Sequence, residues 1–191
     1  GGNQIALGVN AMAASNPGTT STDNIAIGQN ALKFLGVSSA APSYNIALGS
    51  NAMSGQDLSG NVGDNNVAMG QSALQYNTTG CYNIALGYQA IGGNADASGN
   101  MGSFNVALGQ AALYNNTTGD NNVALGNQAL VANQTGCNNV ALGLNAAGGG
   151  PGGGGNANSN IALGEAALQN NTTGGNNVAL GRLALMGGGD S

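Results

Sequence analysis

The sequence predicts an all-β fold, a parallel β-solenoid of ten coils, and three observations carry that prediction. The pentapeptide Asn-(Ile/Val)-Ala-(Leu/Ile/Met)-Gly recurs ten times in 191 residues, with Gln4 replacing the first Asn. Its glycines, Gly8, Gly28, Gly49, Gly70, Gly87, Gly109, Gly126, Gly143, Gly164 and Gly181, are 17–22 residues apart. Within the motif the residue types alternate with period two, the pattern of a strand. A short motif returning at this interval marks stacked supersecondary units, each too small to fold alone.

The elements follow from counting along the chain with the motif glycine as position zero. Positions −3 and −1 are aliphatic and −2 is Ala in every coil, so a strand of about four or five residues is expected there. Aliphatics on one face and Asn, Ala and Gly on the other suggest that the −3 and −1 columns point into the roll. Stacked in parallel at about 4.8 Å per coil, ten strands make a rod of roughly 48 Å. The glycine supplies the corner, where positive φ and close backbone approach are needed. Position +3 is again Ala throughout, from Ala11 to Ala184, and +4 is a large aliphatic except at Ala147.

Two columns stand out as structural sites. Asn24, Asn45, Asn66, Asn83, Asn105, Asn122, Asn139, Asn160 and Asn177 occupy −4, and an amide carries both donor and acceptor, so they are expected to stack as a hydrogen-bonded ladder. Ala26, Ala47, Ala68, Ala85, Ala107, Ala124, Ala141, Ala162 and Ala179 occupy −2. A solvent-facing column would vary and a roomy core would hold larger residues. A run of alanines therefore implies another backbone close by, across the coil or from a second copy.

Short coils turn at Asn77-Thr78-Thr79-Gly80, Asn116-Thr117-Thr118-Gly119, Asn133-Gln134-Thr135-Gly136 and Asn171-Thr172-Thr173-Gly174. Asn and Thr side chains mimic turn backbone and Gly supplies positive φ. Long coils replace this turn with inserts near Asn16, Ala41, Asp57, Asp96 and Gly152. Inserts entering at one point of a repeat emerge on one edge and are the expected contact loops.

Composition excludes several functions. Only 5 % of residues are charged, Gly accounts for 36, and the net charge is −5. With Lys33 and Arg182 as the only basic residues there is no phosphate-binding patch, so no nucleic-acid partner is expected. No apolar run approaches the ~18 residues of a membrane span. The chain has no His, and its seven acids show no paired-carboxylate spacing, so neither an enzyme nor a cofactor is expected. Gly63-Asp64-Asn65-Asn66 and Gly119-Asp120-Asn121-Asn122 offer oxygens for Ca²⁺ but read better as Asx turns, so no metal is expected. Cys81 and Cys137 sit at +11 three coils, or about 14 Å, apart. That exceeds the reach of a disulfide, so free thiols or a bridge between copies are expected. Tyr76, Tyr82, Tyr88 and Tyr114 suggest an aromatic strip for sugar or protein contact, against the plainer reading of isolated surface tyrosines. Residues 1–191 read as one repeat domain with no polar cap at either end, expected to be a segment of a longer fibre or of a stacked filament.

The run Asn115-Asn116-Thr117-Thr118-Gly119-Asp120-Asn121-Asn122-Val123-Ala124-Leu125-Gly126 resembles the repeats of phage tail fibres and bacterial surface proteins. The pattern Asn-Val-Ala-Leu-Gly-x-x-Ala resembles the head repeat of trimeric, YadA-like autotransporter adhesins, although the coils here are longer. The resemblance covers all ten coils. It implies a left-handed β-roll, a homotrimer about a threefold axis, and an extracellular, cell-surface or virion rod that binds a host receptor, glycan or matrix. Two other readings are a self-assembling extracellular filament of rods stacked end to end without a receptor role, and an ice-binding solenoid. The latter needs regular Thr arrays, and Thr pairs occur in only four coils.

Overall fold

A computed structural model of the chain describes residues 2–13, 21–33, 42–55, 63–93, 100–149 and 156–186. The insert positions Asn16, Ala41, Asp57, Asp96 and Gly152 lie outside the described residues. The chain is an all-β parallel solenoid. Its strands are β1 (Ile5–Leu7), β2 (Ile25–Ile27), β3 (Ile46–Leu48), β4 (Val67–Met69), β5 (Ile84–Leu86), β6 (Val106–Leu108), β7 (Val123–Leu125), β8 (Val140–Leu142), β9 (Ile161–Leu163) and β10 (Val178–Leu180). They form one ten-stranded sheet in chain order. Register is the same at every step, Ala107 opposite Ala124 and Ala124 opposite Ala141, whatever the length of the intervening chain.

Three residues per strand is very short, yet coil-to-coil bonding continues beyond the strands. The amide of Gly126 donates to Leu108 O at 2.8 Å and that of Gln128 to Gln110 O at 2.9 Å. The amide of Leu130 donates to Ala146 O at 3.0 Å, and that of Asn121 to Ser103 O at 3.1 Å. Bonding on this pattern forces an unusual backbone. Positions +2, +4 and −5 adopt positive φ in coil after coil, as at Asn51 (57°), Met53 (49°) and Tyr82 (58°). Asn tolerates this region, whereas Leu or Ile loses about 1–2 kcal/mol there. The +4 amide offsets that cost by bonding the next coil, as Ile91 does to Ala112 O at 2.9 Å. The corner glycine is required twice over. Gly109 has φ 134°, and a Cβ built on it would lie 2.5 Å from the carbonyl oxygen of Gly126.

The core inverts the expected facing of the strand. The −2 alanines from Ala26 to Ala162 are wholly buried, as are the +3 alanines from Ala31 to Ala167, with Leu32, Met53, Leu74, Ile91 and Leu113 of +4 beside them. The −3 and −1 aliphatics point outward: Ile84 is 39 % exposed and Leu108 37 %. The opposition of the two faces follows from period two, but the interior side is the one carrying Ala and Asn. A coil this narrow holds methyl groups, one larger side chain and amides, and excludes two further aliphatic columns.

Candidate functional site: the apolar face of the sheet

Inside the coil the −4 asparagines join successive coils through backbone as well as side chain. Oδ1 of Asn122 accepts from the backbone amide of Asn139 at 3.0 Å, and its Nδ2 donates to Gly136 O at 2.8 Å. The first half of this pattern runs from Asn24 to Asn177. Direct amide-to-amide bonds join Asn122, Asn139, Asn160 and Asn177 to the preceding asparagine at 3.0–3.2 Å. These residues are structural, since all but Asn177 are buried.

A second interior column was not legible as such. Asn77, Asn100, Asn116 and Asn133 are at most 3 % exposed. The asparagine of the Asn-Thr-Thr-Gly turn faces inward and closes the turn, as Asn116 Nδ2 does by donating to Gly119 O at 2.9 Å. Asn133 Nδ2 also reaches Asn116 Oδ1 at 3.1 Å, and Asn116 Nδ2 reaches Asn100 Oδ1 at 3.3 Å. Asn77 Oδ1 and Asn100 Nδ2, the next rung of that pattern, are buried without partners, as is Asn45 Nδ2.

A third column lies at −6, where short acceptors of varied chemistry serve one purpose. The amide of Ser43 donates to Asp64 Oδ1 (2.8 Å), that of Asp64 to Cys81 Sγ (3.3 Å), and that of Cys81 to Ser103 Oγ (3.0 Å). The amide of Ser103 then donates to Asp120 Oδ1 (2.7 Å), and that of Asp120 to Cys137 Sγ (3.3 Å). Asp64 and Asp120, weighed as Ca²⁺ ligands, thus act as ladder acceptors. Both cysteines are free thiols in the same role. Among the described residues no three His, Cys, Asp or Glu side chains gather as metal ligands would.

The tyrosines do not form one strip. Tyr82 stacks on Phe104 of the next coil, with centroids 5.0 Å apart and planes 4° from parallel. Tyr76 and Tyr114 instead lie beside Gly93 and Gly92, where added Cβ atoms would meet their side chains at 3.1 and 2.8 Å. Tyr88 stands apart at +1. Phe104 was missed, although it shares the −5 register with Tyr82.

None of these columns presents a large surface; the outer face of the sheet does. The −3 and −1 columns set twenty aliphatics, without a charge among them, on a parallel sheet of ten strands. Ten of them are 37–65 % exposed and place on the order of 900 Å² of aliphatic surface in water, above the about 300–600 Å² of the largest patch on an ordinary monomer. The face can bury itself against a matching apolar surface, and it carries nothing for acid–base or nucleophilic chemistry. No family model, curated protein or solved structure matches this chain.

Proposed function

We propose that this chain is a structural and adhesive fibre protein, an extracellular, cell-surface or virion rod in which three copies bury their apolar sheet faces against one another about a common axis. The observation that carries this reading is the uncharged −3/−1 face. A parallel sheet exposed on one side is unusual, since parallel sheets are ordinarily covered on both. Identical rods give identical faces, and the regular rung spacing lets aliphatic rows of one copy interdigitate with those of the next over the full length. Closed cyclic symmetry uses each face completely and leaves no open end to the association. The resemblance to adhesin heads and tail fibres favours three copies over two. The alanine columns, expected to bear on either the coil or a second copy, are filled from within the coil, so association falls to the aliphatic face instead.

Light scattering after size exclusion tests this reading. The chain should run with three times its 18.3 kDa mass. Leu108→Lys with Leu142→Lys, on an outward column that leaves the coil interior untouched, should run as a folded monomer. A wild-type chain that is monomeric at micromolar concentration with unchanged circular dichroism would defeat the proposal. Rods joined end to end in electron micrographs would instead favour the filament.

A further inference from the structure

We propose that a cleft on one flank of the rod binds an acidic sugar, a hydroxylated ring bearing a carboxylate, at the end of a surface glycan. The cleft is a shallow depression, widely open to solvent, that offers about 180 Å³ and is built from three consecutive coils. Asn30 and Asn51 form one wall at +2, and Lys33, Ser54 and Gln75 the other at +5. Tyr76 stands at the end, and Gly55 at the same +6 position contributes no side chain, which keeps the cleft open.

Two features point to a ligand rather than to a gap between side chains. The first is an amide relay along the +2 column. Asn10 Nδ2 donates to Asn30 Oδ1 at 3.1 Å, and Asn30 Nδ2 donates to Asn51 Oδ1 at 3.0 Å. The next +2 residue is Ser72, so the relay ends with Asn51 Nδ2 at the cleft wall, with no acceptor among the described residues. The second is Lys33. It is one of two basic residues in a chain of net charge −5, and the other, Arg182, pairs with Glu165 at 3.2 Å. Lys33 is half-buried and has no ion-pair partner among the described residues.

The chemistry of the lining selects the ligand. Amides and a hydroxyl match vicinal hydroxyl groups, donor for acceptor. Tyr76 adds an aromatic side chain to the lining, of the kind that packs against sugar rings. The ammonium group, with no carboxylate among the described lining residues, matches an anion rather than a metal ion. The volume is below the about 300–1,000 Å³ that holds drug-sized molecules, a size suited to one sugar ring lying in an open depression. An isolated site of this size binds weakly, but copies held in one rod act together on a glycan-covered surface.

This deepens the adhesive reading and rests on it for its biological sense, but the cleft lies within one chain and is tested separately from the association of chains. Saturation-transfer NMR with glucuronic acid and N-acetylneuraminic acid is the assay, with glucose and acetate as controls. At least one acidic sugar should bind saturably with a dissociation constant near ~1–10 mM, about tenfold tighter than glucose or acetate. Lys33→Gln and Asn51→Ala should each weaken it about tenfold while leaving circular dichroism and oligomeric mass unchanged. No saturable binding of either sugar to the wild-type protein would overturn the proposal. So would binding that acetate equals, or that Lys33→Gln leaves intact. If the sugars fail while the trimer holds, the fibre reading stands without this site; if the sugars bind to a monomer, this site stands without the trimer.

Discussion

Asn122→Ala tests whether the interior amides hold the coils together. In the native chain Oδ1 of Asn122 receives the backbone amide of Asn139 at 3.0 Å and the side-chain amide of Asn139 at 3.1 Å. Its Nδ2 donates to Gly136 O at 2.8 Å and Asn105 Oδ1 at 3.2 Å. Three of these partners keep another bond. Asn139 Nδ2 still reaches Ala157 O, Gly136 O still receives Asn133 Nδ2, and Asn105 Oδ1 still receives the backbone amide of Asn122. The backbone amide of Asn139 loses its acceptor in a part of the coil that water does not reach. One stranded buried donor costs about 1–3 kcal/mol, and the lost bonds about 1 more, so the expected destabilisation is about 2–4 kcal/mol. Asn177→Ala is the matched control. Its side chain donates to Asn160 Oδ1 at 3.0 Å, which keeps the backbone amide of Asn177, so no group is stranded and the cost should stay below about 1 kcal/mol. Urea midpoints at one fixed protein concentration give the two values. Hydrogen exchange should show the Asn139 amide losing protection in Asn122→Ala alone. Equal costs for the two variants, with Asn139 still protected, would refute the assignment of coil-to-coil cohesion to this ladder.

Ala124→Leu should destabilise by roughly 1–3 kcal/mol, because the site is wholly buried between identical alanines, and denaturation midpoints will show it. Gly109→Ala should cost about 2 kcal/mol or more, since both its φ of 134° and the Gly126 carbonyl forbid a Cβ; thermal melting of the variant checks this. Cys81→Ser should change stability by less than about 0.5 kcal/mol, because a hydroxyl replaces the thiol as acceptor for the Asp64 amide, and urea titration of the pair gives the difference.

The sequence made the repeat, the parallel sheet and its register legible because ten motif copies align without gaps across the strand. It did not reveal which face is inside. Val123 and Leu125 are the larger apolar residues and would ordinarily point inward, but the narrow coil admits only Ala124 on that side. The positive φ at Leu74 and Ile91 was hidden for a related reason. These residue types disfavour that backbone, and only hydrogen bonds to a neighbouring coil impose it. The −6 ladder escaped notice because Ser43, Asp64, Cys81, Ser103, Asp120 and Cys137 vary among three residue types and have in common only a short side-chain acceptor. The cleft around Lys33 escaped because its walls come from three coils that are distant in sequence.

An interior of alanine and asparagine gives each rod an unusual thermal character. The heat-capacity change of unfolding grows with apolar surface exposed and falls with polar surface exposed. Amides, peptide groups and alanines fill much of the coil here, and of the three large aliphatic columns only +4 lies inside it. The heat-capacity change of one separated chain should therefore fall below the about 12–15 cal/mol/K per residue of globular domains. A small value flattens the curve of stability against temperature. A rod built this way keeps nearly the same cohesion in the cold as in the warm, whereas the proposed contacts between the aliphatic faces of separate copies would weaken on cooling.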